Sequence, residues 1–402
     1  MISNKTTQFF AWFLVVIGTI VLIYFLFSSR INDYHVPGFF NHSNQKKETI
    51  DFTATGQFGD FVGGVVGTIF TLAGTLLIFL SFQEQAKQNS RESFESSFFE
   101  MVRLHRENIS ELSYNYYLNN KSIRAENREV FRIIFSEFTD CYREVKKFSN
   151  SDKPLDYITP QYLKTLQTII NNNKIKANPI ELCLIDISYQ LTYFGIEEEG
   201  EIILRNKLKD KYNNHYLFRL LLFIKLKPKN NYKDPLARWK GIRHSSLKDL
   251  RLLIDELYDV HRNKVKSDSV SPLAQDFINS VKFSRYYEGH QHRLGHYFRH
   301  LFQSFKYVDT YPDLDNSKRY LYAKMLRAQL STYEQALLFA NSVSTLGHKW
   351  EYIPDSQNSK VQSTYNGHLL TKYQIIKNLP GSHSYGITYR RFYPNIKFES
   401  EE

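Results

Sequence analysis

Two stretches near the N-terminus contain no charged side chain: residues 9–27 (FFAWFLVVIGTIVLIYFLF) and residues 61–82 (FVGGVVGTIFTLAGTLLIFLSF). A helix needs about 20 apolar residues to cross a bilayer core of about 30 Å, so both stretches are long enough. Aromatic residues near both ends of the first stretch are typical of membrane interfaces, whereas a cleaved signal peptide has a shorter apolar core. The pattern predicts two transmembrane helices, at about residues 9–27 and 60–82, which form a hairpin and make residues 1–90 a membrane anchor.

Small residues recur at every fourth position in and just before the second stretch, namely at Gly59, Gly63, Gly67, Thr71 and Thr75. Positions four apart lie on one face of a helix, where small side chains let a second helix approach closely. We expect this glycine stripe to be a helix-packing face, either for the first membrane helix or for a second copy in a homo-oligomer. The alternative is ordinary composition, because glycine is common in membrane helices.

Beyond residue 90 the apolar residues recur three or four positions apart, which is the period of an amphipathic helix. Such runs predict helices at residues 94–112, 128–147, 160–170, 180–194, 215–226, 247–265, 274–309 and 315–346. Strand-like alternation is scarce, and the Asn366–Gly367 pair predicts at most one short hairpin. We therefore predict a mostly α protein, in which the membrane hairpin precedes an all-α soluble domain at residues 91–402 with an irregular end.

The formal net charge is +11, and residues 1–90 contain five basic and five acidic side chains, so the whole excess lies in residues 91–402. A basic domain favours an anionic partner, such as nucleic acid or the surface of the lipid bilayer, although a solvated compositional bias looks the same. Three basic residues in the loop and three in the flanks do not orient the two spans. The distant Cys141 and Cys183 fit a reducing compartment, and we expect both termini in the cytoplasm.

Familiar catalytic motifs are absent from the sequence, including a phosphate-binding loop, a dinucleotide-binding glycine motif, a zinc-protease motif and a serine-hydrolase elbow. The mean hydropathy of −0.43 also excludes a polytopic transporter. We therefore expect no cofactor, and the sequence leaves open whether the protein is an enzyme.

Four segments follow one another in a characteristic order: residues 58–70 (FGDFVGGVVGTIF), 94–109 (FESSFFEMVRLHRENI), 295–309 (GHYFRHLFQSFKYVD) and 320–344 (YLYAKMLRAQLSTYEQALLFANSVS). The last segment is followed by two shorter ones, GHKWE and, at residues 372–380, KYQIIKNLP. In order and spacing they resemble the phage abortive infection proteins of the AbiC type. The resemblance implies a bacterial antiphage protein that aborts infection, with a helical cytoplasmic domain on a hairpin in the inner membrane. It implies no particular biochemical mechanism.

Histidine and arginine side chains are concentrated in the predicted helix at 274–309, and Arg327 and Glu334 lie in the next predicted helix. We hypothesise that His296, Arg299, Arg327 and Glu334 form one polar cluster between these helices. A structural network that ties two helices together is the alternative. The candidate catalytic residues are Arg293, His296, Arg299, His300, Arg327 and Glu334.

Arg293 and His300 are separated by six residues, which resembles the Arg–His pair of helical HEPN-type ribonucleases. In such a site the histidine transfers protons and the arginine stabilises phosphate charge. Leu294 departs from that pattern, because a polar residue usually follows the arginine. His292, His296 and His300 have a spacing that could bind a metal, but without a cysteine or carboxylate partner we expect none.

Two further features have both structural and functional interpretations. His105 lies on the apolar face of the helix predicted at 94–112, and we expect a hydrogen-bonded core histidine rather than a ligand or catalyst. The C-terminal segment 383–398 mixes aromatic and basic residues, which either stack on nucleic-acid bases or pack back onto the domain. Its relevant residues are Tyr385, Tyr389, Arg390, Arg391, Phe392 and Tyr393.

Three functions remain open from the sequence. The first is a defence effector that acts at the membrane through its glycine-striped helices. The second is a membrane-tethered ribonuclease of the HEPN type. The third is a non-catalytic sensor or scaffold that binds a phage component.

Overall fold

The computed structural model describes residues 4–31, 52–118, 121–263, 265–266, 269–279, 283–352, 367–379 and 386–399. The chain divides into two compact units, Met1–Ser97 and Phe98–Glu402. Helices dominate both units, so the predicted mostly α fold is confirmed.

The first unit contains helix α1 (Asn4–Ile31), helix α2 (Phe52–Phe61), a π-helical turn (Val62–Val66) and the beginning of helix α3 (Gly67–Ser110). Two helical segments of the described chain are long and apolar enough to cross a membrane, and they contain most of the two predicted stretches. The amide of Gly67 donates to the carbonyl of Val62, five residues earlier. This wider turn shifts the helical register. The glycine stripe therefore does not follow one straight α-helical face.

Within the first unit, α1 contacts the π-helical turn, and it approaches α3 closely at Gly18. A Cβ added to Gly18 would lie 3.2 Å from both Ile69 and Phe70. A Cβ added to Gly59 or Gly63 would meet no described residue within 4 Å. Whether the stripe is a packing face, for the first membrane helix or for a second copy, therefore stays a prediction.

The second unit begins with the end of α3 and a hairpin of two antiparallel strands, β1 (Ser113–Leu118) and β2 (Lys121–Glu126). Short 3-10 turns occur at Pro154–Asp156 and His348–Trp350. The remaining helices are α4 (Arg128–Phe148), α5 (Pro160–Asn172), α6 (Pro179–Phe194), α7 (Glu198–Leu208), α8 (Asn214–Lys225), α9 (Lys233–His244), α10 (Leu247–Asn263), α11 (Pro272–Ile278), α12 (Gln291–Thr310), α13 (Asn316–Arg327), α14 (Thr332–Val343), α15 (Leu369–Tyr373) and α16 (Tyr389–Phe392).

Helices α6 and α14 form the centre of the second unit. Residues 182–192 of α6 and 334–343 of α14 are buried without interruption, which is the pattern of a helix enclosed on all sides. Each begins with a capping box, Asn178 with Glu181 and Ser331 with Glu334. Helix α4 packs on both through one face that carries Phe131, Ile134, Phe138 and Val145.

Two of the predicted helices are each interrupted. The run at 315–346 divides into α13 and α14, because Ser331 and Glu334 satisfy the first amides of a new helix. The run at 274–309 divides into α11 and α12, and Gly289 before α12 has a φ of +90°. Arg327 and Glu334 therefore lie on different helices, contrary to the prediction.

The β1–β2 hairpin was not predicted. Tyr114 is opposite Ala125 and Tyr116 is opposite Ile123, in a run whose tyrosines favour a strand. The turn predicted at Asn366 lies outside the described residues. The second unit is therefore mostly rather than entirely α.

Candidate functional site

The beginning of α12 is fixed by a contact between two backbones. A Cβ added to Gly289 would lie 2.5 Å from the carbonyl group of Phe194, so only glycine allows this approach. The amide of His290 donates to the carbonyl of Tyr193 at 2.8 Å, and that of Ile196 donates to Tyr287 at 2.9 Å. The end of α6 thereby positions the segment from Tyr287 to His290.

His290 is fully buried and binds the buried carboxylate of Glu137 on α4. Its Nε2 lies 2.7 Å from Glu137 Oε2, and Nδ1 lies 3.2 Å from a guanidinium nitrogen of Arg293. Arginine can only donate, so Nδ1 accepts and Nε2 carries the proton that is donated to Glu137. Tyr114 of β1 donates to the other Glu137 oxygen at 2.7 Å. This buried network joins α4, α12 and the hairpin.

Arg293, a predicted catalytic candidate, fixes the hairpin in place. Its Nε donates to the carbonyl of Ser113 at 3.0 Å, and its guanidinium lies 4.5 Å from the centre of the Tyr114 ring. Burial lowers the pKa of Arg293, and burial together with Glu137 raises the pKa of Tyr114. Both groups keep their usual charge at neutral pH, which suits a structural role.

A second buried carboxylate lies seven residues further along α4. Glu144 accepts from Lys227 Nζ at 2.8 Å and from the hydroxyl of Tyr287 at 2.7 Å. Glu137 and Glu144 were not among the residues predicted from the sequence. The sequence does contain a signal for them, because both acids lie on the apolar face of α4, where acids are rare unless they are paired.

His296 and Arg299 are brought together on an accessible surface of α12. With His292 and Tyr193 they line a half-open pocket of about 350 Å³. Gly295 permits this arrangement, because an added Cβ would lie 2.8 Å from the hydroxyl of Tyr193. Two imidazoles and a guanidinium can bind an anion here, and a histidine can transfer a proton near neutral pH.

His300 lies away from that pocket, beside His105 of α3. The two ring centres are 6.3 Å apart, and neither nitrogen of either ring has a hydrogen-bond partner among the described residues. Burial lowers the pKa of His105 to about 4, with His300, Arg128 and Arg106 adding to the effect. His105 is a core histidine as predicted, but the expected hydrogen bond is not present. Arg293 and His300 do not form an accessible ribonuclease pair.

The predicted four-residue cluster is not formed in the described chain. Arg327 donates to the carbonyls of Tyr373 and Gln374, each at 3.2 Å, and so closes the end of α15. Glu334 is fully buried and accepts from the amide of Ser331 and the hydroxyl of Tyr297, each at 2.7 Å. Of the four residues, only His296 and Arg299 lie together, because the break at Ser331 separates the other two.

The C-terminal segment packs back onto the domain where the structure describes it. The rings of Tyr389, Phe392 and Tyr393 are buried around Phe339, with centre distances of 4.6, 5.3 and 5.9 Å. Arg391 pairs with Glu181. These aromatic residues are therefore not available to stack on nucleic acid, and Tyr385 lies outside the described residues.

Comparison with known proteins supports the resemblance seen in the sequence. No curated protein and no solved structure matches the chain significantly. Helices α12, α13 and α14 and the 3-10 turn after them lie in residues 289–354, and this segment matches a family model. The match supports a role in the abortive infection of phage-infected cells. The AbiC-type resemblance is confirmed over residues 289–354, which match the family described as "Putative phage abortive infection protein".

Proposed function

We propose that this protein is an antiphage defence effector that is anchored in the bacterial inner membrane and acts there to abort infection. Its partners are the lipid bilayer and a second copy of the chain, and both termini lie in the cytoplasm. The matched segment at 289–354 supports abortive infection, and the first unit supports the membrane.

The exposure of large apolar side chains in the first unit carries this proposal. Burying apolar surface is favourable by about 25 cal/mol per Å², so a helix covered with exposed aromatic and aliphatic groups is unstable in water. A lipid bilayer covers such a surface without a protein partner. The exposed side chains are Phe9, Phe10, Trp12, Phe13, Val16, Ile20, Ile23, Tyr24, Phe61, Val65, Leu72, Ile78, Phe79 and Phe82.

The proposed contact between copies is the glycine stripe, which runs through the π-helical turn: Gly59 lies before the turn, Gly63 within it, and Gly67, Thr71 and Thr75 after it. Gly59 and Gly63 are open, and the hydroxyls of Thr71 and Thr75 donate to carbonyls of their own helix at 2.7 and 2.8 Å. These threonines therefore contribute small size rather than hydrogen bonds between helices. Close backbone packing is what stabilises helix pairs in lipid.

Two substitutions test the stripe. Gly67→Leu places a bulky side chain on the stripe, and Gly64→Leu is the matched control one residue away. Neither added Cβ would come closer than 4.0 Å to a neighbour in the part of the single chain that the structure describes. Membrane insertion should therefore survive in both variants. We expect Gly67→Leu to lose oligomer crosslinking and phage protection at normal membrane levels, and Gly64→Leu to keep most of both. Equal protection would contradict the proposed contact.

Membrane potential and RNA integrity, followed together in infected cells, test the mode of action. An effector at the membrane causes depolarisation while cellular RNA is still intact. RNA cleavage before depolarisation would favour the tethered ribonuclease. If neither depolarisation nor RNA cleavage occurs, the result would favour a non-catalytic sensor or scaffold for a phage component. A reporter fused after Glu402 tests orientation, because activity of a periplasm-only reporter would contradict a cytoplasmic C-terminus.

A further inference from the structure

A cavity of about 390 Å³ lies beneath the β1–β2 hairpin in the second unit, between β1, α4 and the segment before α12. Its volume is within the usual range of about 300–1,000 Å³ for small-molecule sites. The cavity is separate from the pocket of His296 and Arg299, although Glu288 borders both.

Tyrosine rings form much of the wall of this cavity. Tyr116, Tyr117, Tyr286 and Tyr333 are half-buried and contribute from three parts of the chain. Aromatic rings at a cavity wall stack on planar ligands, and a stacked base contributes about 1–3 kcal/mol. The wall therefore suits a flat, aromatic ligand.

The buried carboxylate of Glu137 also lines the cavity, with 5% of the residue exposed. Each of its oxygens accepts one hydrogen bond, from Tyr114 and from His290. A carboxylate has about four acceptor positions, so two remain for a ligand. Only a ligand with N–H or O–H donors satisfies them. Among the nucleobases, guanine presents two adjacent N–H donors on one edge, whereas adenine presents a single amino group.

Two cationic side chains line the same cavity. Arg132 is 51% exposed and pairs with Glu129 one helical turn earlier, and Lys229 pairs with Glu288. Both can turn from a surface carboxylate to a phosphate, because surface ion pairs contribute little to stability. Arginine also matches the geometry of phosphate oxygens through paired donors.

We infer that this cavity binds a guanine nucleotide, with the base against the tyrosine rings and its N–H edge on Glu137, and with the phosphate at Arg132 and Lys229. Stacking, donor recognition and charge are supplied by three separate sets of residues, and each is matched by one part of a nucleotide. The inference is independent of the membrane proposal, because it rests only on the second unit. A free nucleotide and a guanine within single-stranded RNA share this chemistry.

Calorimetry on the full-length protein in detergent tests the inference, with GMP, AMP, guanosine and a short guanine-containing RNA as probes. We expect GMP or the RNA to bind, and the tighter of the two identifies the source of the base. We expect AMP to bind at least about tenfold more weakly than GMP, since a buried acceptor left unpaired carries a large cost. Failure of both GMP and the RNA to bind at millimolar concentration, or equal binding of GMP and AMP, would overturn the inference.

Arg132→Ala and Arg143→Ala form a matched pair. Both arginines lie on α4, are 51% and 49% exposed, and pair with an acid three residues earlier, but only Arg132 lines the cavity. We expect Arg132→Ala to weaken GMP binding about tenfold and to leave guanosine binding unchanged, as for loss of a charge-assisted phosphate contact. Arg143→Ala should match the unmodified protein. Equal effects of the two substitutions on GMP would overturn the phosphate assignment. Because both side chains are on the surface, neither variant should unfold the domain.

Discussion

Alanine at position 289 tests whether the backbone contact between α6 and the start of α12 stabilises the second unit. Gly289 has a φ of +90°, and an added Cβ would lie 2.5 Å from the carbonyl group of Phe194 and 2.7 Å from the amide nitrogen of Gly195. The left-handed conformation costs an L-residue about 1–2 kcal/mol. Moving two packed backbones apart costs about 1–3 kcal/mol more. Gly289→Ala should therefore lower the free energy of unfolding by about 2–5 kcal/mol.

Three other glycines separate the two costs. Gly386 has a φ of +88°, and among the described residues nothing lies within 4 Å of an added Cβ, so its substitution measures the conformational cost without a clash. Gly200 is helical and its added Cβ would lie 2.5 Å from the Phe194 carbonyl oxygen, so its substitution measures the clash alone. Gly241 lies in α9 with open space around it, and alanine there should stabilise by up to about 1 kcal/mol.

Urea unfolding of the full-length protein in detergent, followed by tryptophan fluorescence, measures these changes. Trp239 and Trp350 report on the second unit, because they are only 1% and 0% exposed. We expect Gly289→Ala to be the most destabilising of the four substitutions and Gly241→Ala to be the least. If Gly289→Ala costs no more than Gly386→Ala, the backbone contact contributes nothing. This contact would then not be what positions His290.

Two further predictions concern buried polar groups. Lys227→Met leaves Glu144 buried without its cation, so the free energy of unfolding should fall by about 3–5 kcal/mol. Adding Glu144→Leu should recover most of the lost stability. A double variant that is no more stable than Lys227→Met would contradict the prediction. Burial lowers the pKa of His105 from 6.5 to about 4, so the unfolded chain takes up a proton between these values that the folded chain does not. Stability should therefore fall by about 3 kcal/mol as the pH falls from 6.5 to 4. In urea titrations at several pH values, His105→Leu should remove that part of the pH dependence. An unchanged pH dependence in this variant would contradict the lowered pKa of His105.

Local pattern was enough to predict most helices. The predicted range 128–147 became Arg128–Phe148, because α4 has a clear amphipathic period. The range 180–194 became Pro179–Phe194, where a capping box and Pro179 mark the beginning of the helix. The same local pattern did not predict the break at Ser331, because the apolar spacing continues from α13 into α14. The capping sequence from Ser331 to Glu334 was the available signal.

The candidate site was harder to predict, because its pairs join residues that are distant in sequence. Glu137 meets His290 across 153 positions, and Glu144 meets Tyr287 across 143. The sequence drew attention to the regular spacing of His292, His296 and His300, yet the histidine that binds a buried carboxylate is His290. Periodicity identifies residues on one helix face, but it does not identify the partner that the fold brings to that face.

These positions also determine how loss of function should be interpreted. Within the matched segment at 289–354, Arg293, Arg327 and Glu334 each hold parts of the fold together, so their substitution destabilises the domain, whatever its chemistry. His296 and Arg299 are exposed and can be replaced at little cost in stability. A loss of defence in those two variants, with unfolding unchanged, would therefore report on chemistry at the surface of α12. A loss confined to the three buried or bonded residues would report only on folding.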